Sequence, residues 1–383
     1  MKRIGILTYF GDLNSGTNMQ AYSLQDALKN CYANKATVEI INYHAWNRTL
    51  EWHPYISSIS FKSLLNDVKR LSKYHRFLKS NLNLVGKRII AKDPHVVWSF
   101  IKNQKYDVIY VGSDTLLELD RYKKNEVSAY WLSSEIEAKK IFIAASSKNL
   151  EYSVLSSFQK EHIEASIHDF KLIGVRDEAT ARFIRNFISE QDKRLQIVPD
   201  PTFSYNIDYS YIEDYLKRKK VDLTKPTICL HLTKDIAYSK ELAQKLKERG
   251  YQIASLRPAY WADILLNDMS PLELVGVFRF FKAVVTHRFH DSIFCFKNLT
   301  PVVAIPRSFS YSNSFGESKY TSLFKTFNVY ETSLVKSMKD NTLDNVYSMI
   351  ENTILRFPKE SVRIKLEELN NRFIDFVERS IEV

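Results

Sequence analysis

At 383 residues the chain is too long for one ordinary core and matches two domains of common size. Hydrophobic residues make up 45% and charged residues 26%, the balance of a soluble globular protein, and no apolar run is long enough to cross a bilayer. The formal net charge of +11 points to anionic partners. These are nucleic acid, acidic lipid headgroups or phosphorylated small molecules; no Lys/Arg block interleaved with aromatics tracks a nucleic-acid backbone, so nucleic acid is not expected. Cys31, Cys229 and Cys295 lie far apart and lack C-x-x-C spacing, so neither a disulfide framework nor a zinc site is expected. The opening "MKRIGILTYFGDLNSG" turns polar too soon for a signal peptide. These features fit a reducing cytoplasm.

In chain order, "RIGILTYF" (3–10) reads as a strand ended by Gly11, followed by the loop "GDLNSG", an amphipathic helix and the strand "ATVEIINY" (36–43), which is the βαβ unit of a parallel sheet. Residues 44–105 read as a helical insertion, with helical pattern around 61–80 and 93–103. Strands resume at 106–113, 139–146, 170–175 and 195–200, with helices near 151–167 and 178–188, completing a first α/β domain over residues 1–208. The charged segment 209–226 lacks a clear core face and is the linker candidate. A second α/β domain (226–350) follows, with strands "TICLHL" (227–232), "YQIASL" (251–256), "KAVVTH" (282–287) and "TPVVAIP" (300–306). Ser239 is expected to cap one helix, with Gly250 as its stop. Ser270, Pro271 and Glu273 mark another helix start. Residues 359–383 read as a C-terminal amphipathic helix, expected to pack near the interdomain region.

"VVTHRFHDSIF" (284–294) places Arg288 and His290 at the carboxyl end of a buried strand and the mouth of the next helix, where open α/β sheets bind ligands and free N–H groups attract anions. Taken alone, His290 reads as a satisfied helix-start histidine, Arg288 as a surface charge and Arg176 with Asp177 as a local ion pair. His287 reads as structural, Asp200 as a turn former and "GSD" (112–114) as a cap and turn.

Six segments in order resemble the polysaccharide pyruvyl transferase family. They are "IGILTYFGDLNSGTNMQAYSLQDALKN…VEIINY", "YDVIYVGSD" (106–114), "IAASS" (143–147), "GVRDEAT" (174–180), "VPDPTF" (198–203) and "SPLELVGVFRFFKAVVTHRFHDSIF" (270–294). The resemblance implies two Rossmann-like domains facing across a cleft (GT-B-like). It also implies transfer of the enolpyruvyl group of phosphoenolpyruvate onto two hydroxyls of a nucleotide- or lipid-linked saccharide, forming a ketal and releasing phosphate, with no cofactor and no metal. Arg288 and Arg176 are then the forks for the donor's carboxylate and phosphate, because planar oxyanions suit a guanidinium, and His290 is the proton-transfer group. Asn14, Ser15, Gly16 and Thr17, the strand end Gly112, Ser113 and Asp114, and the helix-start residues Asp291 and Ser292 complete the implied substrate site. The chain departs from the family pattern at Ser15 and Gly16, at Thr115, Leu116 and Leu117, and at Asp291 in place of glycine, where an acceptor would be read. A nucleotide-sugar glycosyltransferase and a non-catalytic anionic-glycan or membrane-surface binding protein are the rival readings. The basic stretches 61–80 and 216–220 are either contacts to the anionic inner face of a cell membrane or solvated surface, and both readings stand.

Overall fold

The computed structural model describes residues 1–33, 35–46, 61–148, 150–222, 224–233, 236–307, 309 and 318–383. A seven-stranded parallel sheet runs in the order β3-β2-β1-β4-β5-β6-β7, with β1 at Lys2–Leu7, β2 at Ala36–Ala45, β3 at Leu84–Ala91, β4 at Val108–Val111, β5 at Lys139–Ala145, β6 at Phe170–Val175 and β7 at Leu195–Ile197. A five-stranded parallel sheet runs β10-β9-β8-β11-β12, with β8 at Thr227–His231, β9 at Gln252–Ser255, β10 at Ile264–Leu265, β11 at Ala283–Thr286 and β12 at Val302–Ala304. The α/β class and the C-terminal helix expected from the sequence are both present. In each sheet the order reverses around the first strand, between β1 and β4 and between β8 and β11. These are the switch points at whose carboxyl ends doubly wound sheets bind ligands. Helices cover both faces of such sheets, so central strands such as β4 (VIYV) and β8 (TICLH) are buried at every position and read as continuous apolar runs.

The helices among the described residues are α1 (Ser15–Tyr32), α2 (Phe61–Asn81), α3 (Pro94–Gln104), α4 (Ser157–Asp169), α5 (Glu178–Ile184), α6 (Ser210–Lys219) and α7 (Ser239–Glu248), then α8 (Pro271–Val277), α9 (Phe289–Lys297), α10 (Lys319–Thr326), α11 (Tyr330–Ser333), α12 (Leu343–Arg356) and α13 (Lys359–Glu382). No described helix is long and apolar enough to cross a membrane.

The chain divides into two compact units. The first comprises Met1–Pro54, Arg76–Tyr205 and Leu369–Val383, and the second Tyr55–His75 and Asn206–Glu368. Residues 209–226, expected as a linker, instead carry α6, which belongs to the second unit. Ile212, Tyr215 and Leu216 are its buried face, and their i, i+3, i+4 spacing is masked in the sequence by the charges around them. Gly276 on α8 is what admits this helix, since a Cβ there would stand 2.9 Å from the Ile212 methyl. Part of α2, read as an insertion in the first domain, also packs on the second unit: Lys73 Nζ donates to Glu273 at 2.8 Å and lies 4.5 Å from the centre of the Tyr215 ring. In the first unit the end of α13 fills the space over Gly174, where a Cβ would meet the Phe376 ring at 2.7 Å.

The capping box at Ser270 forms as expected, with Ser270 Oγ accepting from Glu273 N at 3.2 Å and Glu273 Oε2 accepting from Ser270 N at 2.7 Å. Ser239 is not a cap: it is the first helical residue of α7 and its hydroxyl donates to Ile236 O at 2.6 Å. The strands β3 and β10 were not expected. The first carries Gly86, Lys87 and Arg88 on an exposed edge, and the second is only two residues long, so neither shows strand periodicity.

Candidate active site

In the second unit the switch point sets His231, at the end of β8, directly beside Thr286, at the end of β11. The chain then turns into α9, and Asp291 in its first turn points back to the sheet. Its Oδ2 accepts from His231 Nδ1 at 2.5 Å and from Thr286 Oγ1 at 2.8 Å, while the same threonine oxygen accepts from Arg288 N at 3.0 Å. His231, Thr286 and Asp291 are all buried. This chain of bonds fixes the strand end, the turn and the helix start together.

Around this core stand arginines that follow three strands of the sheet. Arg257 follows β9, Arg288 follows β11 and Arg307 follows β12. Arg307 Nη2 is 3.1 Å from His287 Nε2; a guanidinium only donates, so this nitrogen of His287 accepts. The His287 ring meets the His231 ring edge-on with centroids 5.8 Å apart, and its carbonyl accepts from the Tyr320 hydroxyl at 2.7 Å. Burial, and then the fields of His231, Arg307, Arg288 and Arg257, push the pKa of His287 down to about 2, so its ring is neutral. Arg257 is pushed down to about 10, first by burial and then by Arg288, Arg307 and Arg70, with Asp291 opposing. A buried guanidinium with further positive charge beside it marks a place where an added anion is stabilised. The Nε of Arg288 is buried and makes no hydrogen bond among the described residues.

Burial alone would raise Asp291, but His231, Arg288 and the Thr286 hydroxyl outweigh it and hold the carboxyl ionised. Burial lowers the pKa of His231 more than Asp291 raises it, so the imidazole is neutral near pH 7. His290, half-buried, lies one residue along α9 with its ring edge-on to Phe289 at 5.4 Å and tilted on Phe294 at 6.4 Å. Ser292 Oγ reaches the Arg288 carbonyl at 3.5 Å within the first turn. Arg288 and Asp291 thus meet in one network with His231, Thr286, Arg257 and Arg307, none of which the sequence reading singled out. Their signal was nevertheless present: each ends or follows a buried parallel strand.

The first unit has its own polar cluster at the β1–β4 switch point. Asn14 caps α1, its Oδ1 accepting from Gly16 N at 3.1 Å and its Nδ2 donating to Thr17 Oγ1 at 3.0 Å. Thr17 Oγ1 donates to Asp114 Oδ2 at 3.3 Å. Ser15 is a buried first-turn residue of the same helix. Gly112 has φ +150 and a Cβ there would fall 1.8 Å from the Ile143 carbonyl oxygen, so only glycine is admitted. Ser113 is buried and its carbonyl lies 3.4 Å from the Thr8 hydroxyl. Arg176, whose side chain is only 8% exposed, is held between Asp200 (3.4 Å) and Asp114 (4.0 Å), and Asp200 also accepts from Gln20 Nε2 at 2.6 Å. Asp177 does not pair with Arg176; it caps α5 through Thr180 N at 2.8 Å and accepts from Ser146 Oγ at 2.7 Å. Arg176 is therefore matched by carboxylates, whereas Arg257, Arg288 and Arg307 form no ion pair with a carboxylate among the described residues.

Among the described residues no group of three His, Cys, Asp or Glu side chains is placed to hold a metal ion. No curated protein sequence matches the chain. Among solved structures it is similar to a UDP-GlcNAc 2-epimerase from Neisseria meningitidis bound to UDP-GlcNAc (9% identity, TM-score 0.59, all of both chains covered). It is also similar to a glycosyltransferase from Rickettsia africae (12% identity, TM-score 0.54, 99% of this chain and 96% of that one) and to a Streptomyces glycosyltransferase complexed with thymidine diphosphate (12% identity, TM-score 0.51, all of both chains). At these identities the likeness concerns the fold, which is that of the GT-B class. Residues 14–308, which take in every strand but β1 and both polar clusters, match the family described as polysaccharide pyruvyl transferase, and the chain belongs to that family.

Proposed function

We propose that the protein moves the enolpyruvyl group of phosphoenolpyruvate onto two hydroxyls of a saccharide, as a pyruvate ketal, with release of phosphate. The observation that carries this reading is the crowding of Arg257, Arg288 and Arg307 at the carboxyl edge of the second sheet. A donor with a carboxylate and a phosphate on adjacent carbons needs several fixed donors of positive charge, and guanidiniums supply them as planar forks. Arg288 is the central one. It sits at the mouth of α9, where free N–H groups add to the attraction.

His290, in the position the family resemblance assigns to proton transfer, protonates the methylene carbon of the donor. This generates an oxocarbenium-like centre that the hydroxyls attack. The acceptor is a nucleotide- or lipid-linked repeat of a cell-surface polysaccharide, and no cofactor beyond the donor is required. An enzyme acting on lipid-linked acceptors works at the cytoplasmic face of the membrane, and basic surface outside the paired Lys73, Arg218 and Lys219 supplies the contact to anionic lipid.

The test is to incubate the protein with phosphoenolpyruvate, with and without the lipid-linked oligosaccharides of its own cells. Phosphate should appear only with acceptor, and the product should gain one pyruvate less one water. Transfer of a sugar from a nucleotide donor with no use of phosphoenolpyruvate would replace this reading with a glycosyltransferase.

A further inference from the structure

The geometry points to His231, oriented by Asp291, as the base that takes the proton from the attacking acceptor hydroxyl. This rests on the pyruvyl-transfer reading above. Asp291 is ionised and can only accept, so the 2.5 Å bond fixes the His231 proton on Nδ1 and leaves Nε2 with its lone pair. The Thr286 hydroxyl holds the same carboxylate oxygen from the other side at 2.8 Å, so the carboxylate cannot swing away. A neutral imidazole held by a buried carboxylate at a strand end beside an anion site is the arrangement of a general base and its orienting group. The charged and titratable groups facing it are Asp291 from α9, Arg288 and His287 from the end of β11, and Arg257 from the end of β9. Burial, and after it Arg288 and Arg257, keep this imidazole from charging before the acceptor arrives.

The step balances as follows. The π electrons of the donor's C=C take a proton at the methylene carbon, and the acceptor oxygen forms a bond to the neighbouring carbon while its proton passes to His231 Nε2. The bond from that carbon to the phosphate oxygen then breaks with its electrons. The second hydroxyl closes the ketal and its proton leaves with the phosphate. The proton on His231 replaces, through solvent, the one given to the methylene carbon.

The experiment compares His231→Gln and Asp291→Asn with the unaltered protein in the phosphate-release assay, by phosphoenolpyruvate titration and by nitrogen NMR of the histidine rings. His231→Gln should lose about a hundred- to ten-thousand-fold in kcat while still binding phosphoenolpyruvate. Activity needs the neutral ring, so it falls as pH drops through the His231 pKa; Asp291 raises that pKa, and Asp291→Asn should move the acid limb to lower pH. The NMR spectrum of the unaltered protein should show the Nδ1–H form. Folded His231→Gln protein turning over at the unaltered rate, an unmoved acid limb, or an Nε2–H ring would overturn the inference. Failure of the unaltered protein to release phosphate would instead sink the pyruvyl-transfer reading, and the ring tautomer would still report on the dyad.

Discussion

The two switch points have the same topology and opposite charge economies. At the first, Arg176 is enclosed by Asp200 and Asp114, and Asn14, Thr17 and Gln20 Nε2 bond within the cluster, while Gln20 Oε1 and Ser113 Oγ are buried and make no hydrogen bond among the described residues. At the second, the carboxylate of Asp291 is hydrogen-bonded to His231 and Thr286, and the charge of Arg257 is opposed by burial and then by Arg288 and Arg307. The edge of a parallel sheet is a place where ligands bind; charge balance says which edge wants an anion. The first cluster sets the geometry of a loop and a helix start, while the second is the one proposed above to receive the donor.

The contrast can be broken most forcefully at Asp200. Asp200→Ala leaves Arg176 and Gln20 buried without their shared acceptor, and denaturant unfolding should show a loss of about 3–5 kcal/mol. A loss below about 1 kcal/mol would mean that the pair is solvated and the first cluster is not internally balanced. The second cluster should reveal itself in acid. His287 has a pKa near 2 in the folded chain and about 6.5 unfolded, so the unfolded state binds the proton first, and stability present above about pH 6.5 is lost as pH falls below it. Between pH 7.5 and 5 this group should cost about 2 kcal/mol, and His287→Gln should flatten that part of the pH profile; an unchanged slope would show that the ring is free to charge. The smallest effect is expected at the exposed Arg307. Arg307→Lys keeps the charge and loses the fork, so phosphoenolpyruvate affinity should fall about two- to threefold, which is about 0.5 kcal/mol; a fall comparable to that of Arg288→Gln would move the centre of the anion site outward.

Much of this was legible in the sequence because buried parallel strands announce themselves as apolar runs, and "FKLIGV" (170–175) coincides with β6. The position of Arg288 was legible for the same reason: it ends such a run just before a helix. What stayed hidden depends on which strands adjoin. Nothing local in "TICLHL" shows that His231 pairs with Thr286 and meets a carboxylate 60 residues later, and Asp291 registered as a substrate-site residue and a departure from glycine, not as a partner of His231. Likewise Arg176 sits beside Asp177 in sequence, yet its carboxylate partners come from β4 and β7 strand ends, far along the chain. The α6 helix was missed because three apolar residues among charges leave little contrast, although together they bury one face.

The measurement that tests the central claim most directly is calorimetric titration of phosphoenolpyruvate into three proteins. They are the unaltered chain, Arg288→Gln, and the double variant Arg176→Gln with Asp200→Asn, which removes the first unit's pair together and so avoids a lone buried charge. Loss of charged hydrogen bonds at Arg288 should weaken binding about 10- to 100-fold, while the double variant should bind as the unaltered chain does. The opposite pattern, with Arg288→Gln binding normally and the double variant failing, would contradict the account and place the donor's anion in the first unit.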